Sequence, residues 1–334
     1  MSKSAAKRGG SASAEIPPHD DSWKNPQWRS RVRRRLLDWF SKHAREMPWR
    51  ADPTPYRVWV SEIMLQQTQV MRVLVFYPAW LKQFPNWETL AKASNADVIR
   101  AWSGLGYNRR ALVLRDIARQ VVVEGVPKSR EDWMALKGIG PYTAAAVTVF
   151  SLGKRAFPID TNIRRVLGRL FLGKLYPQPE DDDRIAEVGS KELMQTKQFQ
   201  DVPQALFDLA TSYCKKVPNC AACPLRDDCA SAQAFISGRV ETPKKMIRKA
   251  KEKIHRNKKY PDRIFRGRIL KIVQRHRGIE ITKLGGLIDT EFDTKLDLEW
   301  LNRMVERMIK DKFVKKDGKR LILDDKIAAF PRKF

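Results

Sequence analysis

The chain has 334 residues, and 65 Lys+Arg against 38 Asp+Glu leave a formal charge of +27. That excess calls for a polyanionic partner, either nucleic acid or an anionic membrane surface. The length allows two or three domains, each with its own core. No segment approaches the roughly 20 apolar residues of a membrane span, and the N-terminus lacks a secretory apolar core. The expectation is therefore an intracellular, nucleoid-associated cytoplasmic protein whose partner is nucleic acid and not a membrane.

Residues 1–23, rich in Ser, Ala, Gly, Lys and Pro, read as a disordered basic tail. From Pro26 to Glu46, Trp28, Val32, Leu36, Leu37, Phe40 and Ala44 recur at helical spacing, and Met47-Pro48-Trp49-Arg50 stops that helix. Helices are then predicted at Val70–Phe84, as a short pair within Leu90–Trp102, and over Arg109–Glu124 after the Gly104-Leu105-Gly106-Tyr107 turn. Others follow at 130–136, 141–152, 162–172, 183–195 and 201–213, with no useful period-two alternation. The first 235 residues read as all-α. Residues 243–334 carry 28 Lys/Arg against 13 Asp/Glu, and Lys244–Lys259 alone holds nine basic residues and one acid. That piece reads as a basic linker or arm. Helices at Arg263–Arg275, Thr282–Leu287 and Leu298–Lys310, then two strands around Asp317-Gly318, predict a small winged-helix-like module.

Four stretches carry chemistry. Val58 to Val70 (VWVSEIMLQQTQV) places one acid, Glu62, in an apolar run ahead of three glutamines and a threonine. On these residues alone, an amphipathic helix with Glu62 facing water competes with a carboxylate whose pKa is raised for general-acid work. Leu136-Lys137-Gly138-Ile139-Gly140-Pro141-Tyr142 reads as a hairpin between helices whose N–H groups suit a phosphate. An ordinary helix–helix turn fits it equally. Asp160 stands where it would N-cap a helix starting near Asn162 and also sit at a DNA-facing helix end. The cysteines Cys214, Cys220, Cys223 and Cys229 are spaced C-x5-C-x2-C-x5-C. Such thiolates suit a tetrahedral metal or an iron–sulfur cluster, and a single C-x2-C pair favours the cluster over zinc. Lys215, Lys216 and Arg226 would project from the pinned loop toward phosphates. The four histidines are scattered and suggest no histidine chemistry.

In this order the motifs resemble the adenine DNA glycosylase branch of the helix-hairpin-helix, endonuclease III-like superfamily over about residues 27–230. The stretch at Asp262–Leu270 also resembles the winged-helix-like end of its shorter members. The resemblance implies an all-α glycosylase core at 24–235. Within it, a six-helix hairpin-bearing domain spans about 60–158, and a [4Fe-4S] cluster domain is built from 24–59 and 159–235. A linker at 236–261 and the winged-helix-like domain at 262–334 would follow. It implies Glu62 as the acid that protonates adenine at N7, Asp160 as the carboxylate facing the oxocarbenium-like sugar, and Asn162 as its orienting partner. Tyr142 stands where bifunctional relatives carry a lysine, which implies a monofunctional enzyme. Arg45, Trp49, Arg50 and Gln204 match the base pocket. Gln67, Thr68, Leu105 and Tyr107 match residues that wedge into the duplex at the opposing 8-oxoguanine, with Gln67 pointing into DNA and Thr68 capping the next helix. Gly138, Gly140, Lys215 and Lys216 would contact backbone, and the four cysteines would hold the cluster.

The chain departs from the family pattern in its first cysteine gap, at Thr161, at Asn108 and in having no Nudix-like domain. The expected substrate is double-stranded DNA with adenine opposite 8-oxoguanine or guanine, bound by a monomer. A thymine or uracil mismatch glycosylase, or a non-catalytic DNA-binding redox protein, are the alternatives. Glu62 speaks against the first, and both carboxylates against the second.

Overall fold

The computed structural model describes residues 25–238, 240, 252, 254–256, 258–276 and 278–325. The tail expected at 1–23 and most of the basic linker lie outside the described residues. The chain divides into two units, one within Met1–Arg45 and Phe157–Lys244, the other within Glu46–Ala156 and Lys245–Phe334.

In the first unit, helix Pro26–His43 starts at Asn25, whose side chain accepts from the Gln27 N–H, with proline at the first turn. It buries Trp28, Val32, Leu36, Trp39 and Phe40, the stripe that 3.6-residue periodicity predicts. This face packs on helix Asp201–Ser212, which also packs on helix Thr161–Leu170. The helix expected at 183–195 is an α-segment, Asp182–Glu187, running into a π-turn, Val188–Leu193.

In the second unit, helix Pro55–Leu65 begins at the cap Thr54 and is buried from Val58 to Met64. Helix Pro141–Ser151 packs against it, and Trp87–Lys92 packs against Arg109–Glu124. Trp59, Trp80, Trp102 and Trp133 are fully buried here. Each contributes roughly 150–250 Å² of burial, which explains how such short helices hold together. Met47-Pro48-Trp49-Arg50 does more than stop a helix, since Pro48–Ala51 forms a helical turn of its own.

The basic C-terminal region belongs to this second unit. Helices Asp262–His276, Ile281–Ile288 and Thr294–Lys310 precede strands Val314–Asp317 and Arg320–Leu323. Gly318, with φ +55°, and Lys319 make the turn, and Asp317 pairs with Arg320. A third strand, Ile279–Glu280, also pairs antiparallel with Arg320–Leu321. At two residues it is too short to show an alternating pattern in sequence. Polar contacts tie the region to the rest of the unit. Asn95 Nδ2 donates to the Lys312 carbonyl at 3.1 Å and to Asp324 at 3.0 Å, and Ser103 donates to Gln274 at 3.0 Å.

Candidate active site and DNA-facing loops

Glu62 is 6% exposed. The water-facing alternative is therefore overturned: helix Pro55–Leu65 is enclosed on nearly every side, so its one carboxylate is buried with Val58, Trp59, Ile63 and Met64. Tyr142 is half-buried at the second position of helix Pro141–Ser151, which packs on the Glu62 helix. At that helix's start, Gln66 Nε2 lies 3.5 Å from Thr143 Oγ1. Trp49 meets Tyr77 edge-on at 5.4 Å.

The helix ends at Gln66, and Gln67 is exposed with φ +54°. Left-handed backbone at a non-glycine residue is strained and concentrates at functional sites. Tyr107 repeats the pattern, with φ +50° and 59% exposure. One side chain joins these two loops. Arg110 donates to the carbonyls of Ile63 at 2.8 Å, Met64 at 3.1 Å and Gly106 at 3.1 Å, and to Thr68 Oγ1 at 3.0 Å. Its guanidinium also lies over the Trp102 and Tyr107 rings.

Two expectations change here. Thr68 does not cap the next helix: Gln69 is that cap, with no side-chain hydrogen bond, while Thr68 Oγ1 turns back to the Gln66 carbonyl and Arg110. Leu105 is 5% exposed. It packs into the core because the Trp102 side chain bonds the Gly106 carbonyl at 2.9 Å and draws the loop inward.

In the hairpin, Gly138 takes φ +101°, and a Cβ there would press on Val113 at 3.0 Å. Gly140 caps helix Pro141–Ser151 with no side chain to satisfy the first N–H groups, which leaves them for an acceptor.

The first unit holds the other carboxylate. Asp160 N-caps helix Thr161–Leu170. Its Oδ1 accepts from the Asn162 and Ile163 N–H groups at 2.8 Å, and its Oδ2 from Asn162 Nδ2 at 2.6 Å. Burial nevertheless raises its pKa, outweighing these hydrogen bonds. Arg165 continues the chain of contacts, donating to Asn162 Oδ1 at 3.0 Å and to the Cys214 carbonyl at 2.6 Å. Buried Arg169 donates to the carbonyls of Leu175, Lys215 and Lys216, and its Nη1 lies 3.6 Å from Cys214 Sγ. Lys215 and Lys216 are thereby held exposed. Arg226, by contrast, turns to Asp227 and the Ala221 carbonyl.

Burial, together with Cys214 and Cys220, pushes Cys223 up to about 11, and burial with the other three cysteines pushes Cys229 up to about 12. Among the described residues no group of three or more His, Cys, Asp or Glu side chains stands at metal-holding spacing. The donor set still fits a soft metal centre, because four thiols in one another's field gain most from a cation that stabilises thiolate. Arg45 bonds buried Asp208 through its side chain at 2.6 Å and its backbone N–H at 3.0 Å. Half-buried Gln204 lies one helical turn before Asp208.

Sequence reasoning missed Arg110, Arg165 and Asp208. Arg110 carries no local signal, since its partners are carbonyls brought near by folding. Asp208 had one: an acid four residues after Gln204, on the helix face that also carries the apolar residues Ala205 and Leu209.

Residues 60–191 match the HhH-GPD superfamily base excision DNA repair protein family. The fold is also that of an endonuclease III–DNA complex (TM-score 0.53, 18% identity, 64% of this chain and 99% of that one). A thermostable thymine-DNA glycosylase is similar as well (TM-score 0.58, 26% identity, 62% of this chain and 97% of that one). Hairpin, fold and family match define the class: a helix-hairpin-helix base excision DNA repair protein. An adenine DNA glycosylase of Mycobacterium tuberculosis is 33% identical over 279 residues, 81% of this chain and 84% of that protein. The human adenine DNA glycosylase is 34% identical over 211 residues, 59% of this chain and 39% of that protein. The chain belongs to the adenine DNA glycosylase family.

Proposed function

We propose that this protein hydrolyses the N-glycosidic bond of adenine mispaired with 8-oxoguanine or guanine in double-stranded DNA, acting as a monomer within the nucleoid. The observation that carries the reading is the presence, in a chain of this family, of a buried carboxylate at Glu62 and a helix-capping one at Asp160. Adenine is first flipped from the stack, with Gln67 and Tyr107 entering the space it leaves. Glu62, neutral, gives its proton to N7, and the C1′–N9 bond breaks with its electrons going to the base. Asp160, ionised and oriented by Asn162, faces the cationic sugar while water adds at C1′ and its released proton returns to the Glu62 carboxylate. Tyr142 offers no amine for a Schiff base, so the enzyme is monofunctional. Arg45, Trp49, Arg50 and Gln204 bind the base, and Gly138 and Gly140 present N–H groups to the backbone.

The four cysteines would hold a [4Fe-4S] cluster, which supplies a rigid core for the loop that displays Lys215 and Lys216. Purified protein should then be brown, with roughly four irons per chain. A colourless, zinc-loaded protein would reject the cluster.

The activity is tested by single-turnover excision on duplexes with adenine opposite 8-oxoguanine, adenine opposite guanine, and thymine opposite guanine. Adenine release from the first two supports the reading. Thymine release without adenine release assigns the chain to mismatch repair of another base.

A further inference from the structure

On helix Asp201–Ser212 the Asp208 side chain is 1% exposed, while that of its partner Arg45 is 32% exposed. A carboxylate so enclosed cannot touch DNA and acts there only through Arg45. Its Oδ1 accepts from Arg45 Nε and Nη2, both at 2.6 Å, and its Oδ2 accepts from the Arg45 backbone N–H at 3.0 Å. Three donors of one residue on one carboxylate fix both the backbone that leaves helix Pro26–His43 and the orientation of the guanidinium. Gln204 stands four residues before Asp208 on the same helix, the spacing that puts two side chains on one face.

The charged groups of the neighbouring helices have other partners. On Pro26–His43, Arg29 pairs with Glu192, Arg31 and Arg35 pair with Asp228, and Asp38 and Lys42 are exposed. His43 stacks on Trp39 at 5.7 Å. On Thr161–Leu170, Arg164 pairs with Asp182, and Arg165 and Arg169 donate to loop carbonyls. Asp201 stands at the opposite end of the Asp208 helix.

A buried ion pair is seldom kept for stability, because desolvation costs about what the attraction returns. The proposed function supplies a chemical reason. It sets Arg45 against the adenine, and that adenine must take a proton. A guanidinium beside the base opposes the proton, and a carboxylate bonded to the guanidinium cancels most of its field. We propose that Asp208 is a positioning residue of the base pocket: it holds Arg45 and balances its charge, so that Arg45 binds the adenine without opposing its protonation. This rests on the function proposed above.

The test is the pH profile of single-turnover adenine release at saturating protein, for wild type and variants that all keep His43. Asp208→Asn removes one negative charge and leaves the guanidinium. Its rate near neutral pH should fall roughly 10–100-fold, and the alkaline limb of its profile should move to lower pH, because a cation beside the base disfavours the protonated form. Arg45→Met with Asp208→Asn removes both charges and should bring the limb back, while the half-saturating protein concentration rises. Asp208→Glu keeps the charge on a longer side chain and should hold the limb with weaker binding. Limb position reports only on molecules that fold, so partial unfolding does not move it. An unmoved limb in Asp208→Asn overturns the proposal. So does a double variant whose limb stays displaced, or Asp208→Glu displaced as far as Asp208→Asn. Wild type that releases no adenine overturns the function and this inference with it, whereas wild-type release with an unmoved limb overturns this inference alone.

Discussion

At Glu62 and Asp160 the same functional group meets two different surroundings. Glu62 is buried on a helix that is itself buried from Val58 to Met64, while Asp160 is half-buried but bonded by two backbone N–H groups and an amide. On the proposed mechanism, an isosteric Glu62→Gln removes the proton donor and leaves the packing, so single-turnover adenine release should fall by about 10²–10⁴-fold. An unchanged rate would assign protonation to another group. For Asp160 the pKa is raised by burial, so ionising it costs folding free energy. The folded protein's stability should therefore fall as pH rises through the folded pKa. Asp160→Asn keeps a capping side chain and should melt higher than wild type at pH 7 while losing activity. The advantage should shrink toward pH 4, and melting curves across that range check the sign.

Two elements depend on buried charge. Arg110 fastens the Gln67 and Tyr107 loops through several carbonyls. Arg110→Met strands those acceptors and should cost about 2–4 kcal/mol in denaturant unfolding. Adenine excision should drop with it, because the Gln67 and Tyr107 loops lose their support. In the C-terminal module, Asp297 is buried. Burial pushes its pKa up, but Lys258, the Asp293 N–H and His255 outweigh that and hold it at about 2. The stability it contributes is complete above the ordinary aspartate value near ~3.9 and is lost as pH falls toward 2. Asp297→Asn should remove that acid-limb dependence, which far-UV circular dichroism between pH 5 and 2 would follow.

For the molecule as a whole, the structure changes how the basic C-terminal region must be tested. Phe265, Ile269, Leu301 and Leu321 share one hydrophobic cluster with Trp59 and Trp102. Deleting residues 243–334 would expose that core and confound binding with unfolding. Substitutions that remove single surface charges are cleaner. Lys316 and Lys319 are exposed at the strand hairpin. Lys316→Gln with Lys319→Gln should lower the slope of log affinity against log salt by about 1–2 if both face phosphates. An unchanged slope would make the hairpin a solvated face.

Helix positions, the hairpin glycines, the cysteine string and the capping role of Asp160 could be read from sequence, because each is written in neighbours within a few residues. Periodicity, caps and turn chemistry act locally, so local patterns reveal them. What tertiary structure decided was burial and long-range partnership. It placed Glu62 inside and Leu105 in the core, turned Thr68 away from its cap, and gave Arg110 the loops on either side of it. It paired Arg45 with Asp208, 163 residues away. It also grouped the basic C-terminal helices with the hairpin-bearing helices in one compact unit. Spacing along a helix specifies which residues share a face, but the side that becomes interior depends on which other elements pack against it.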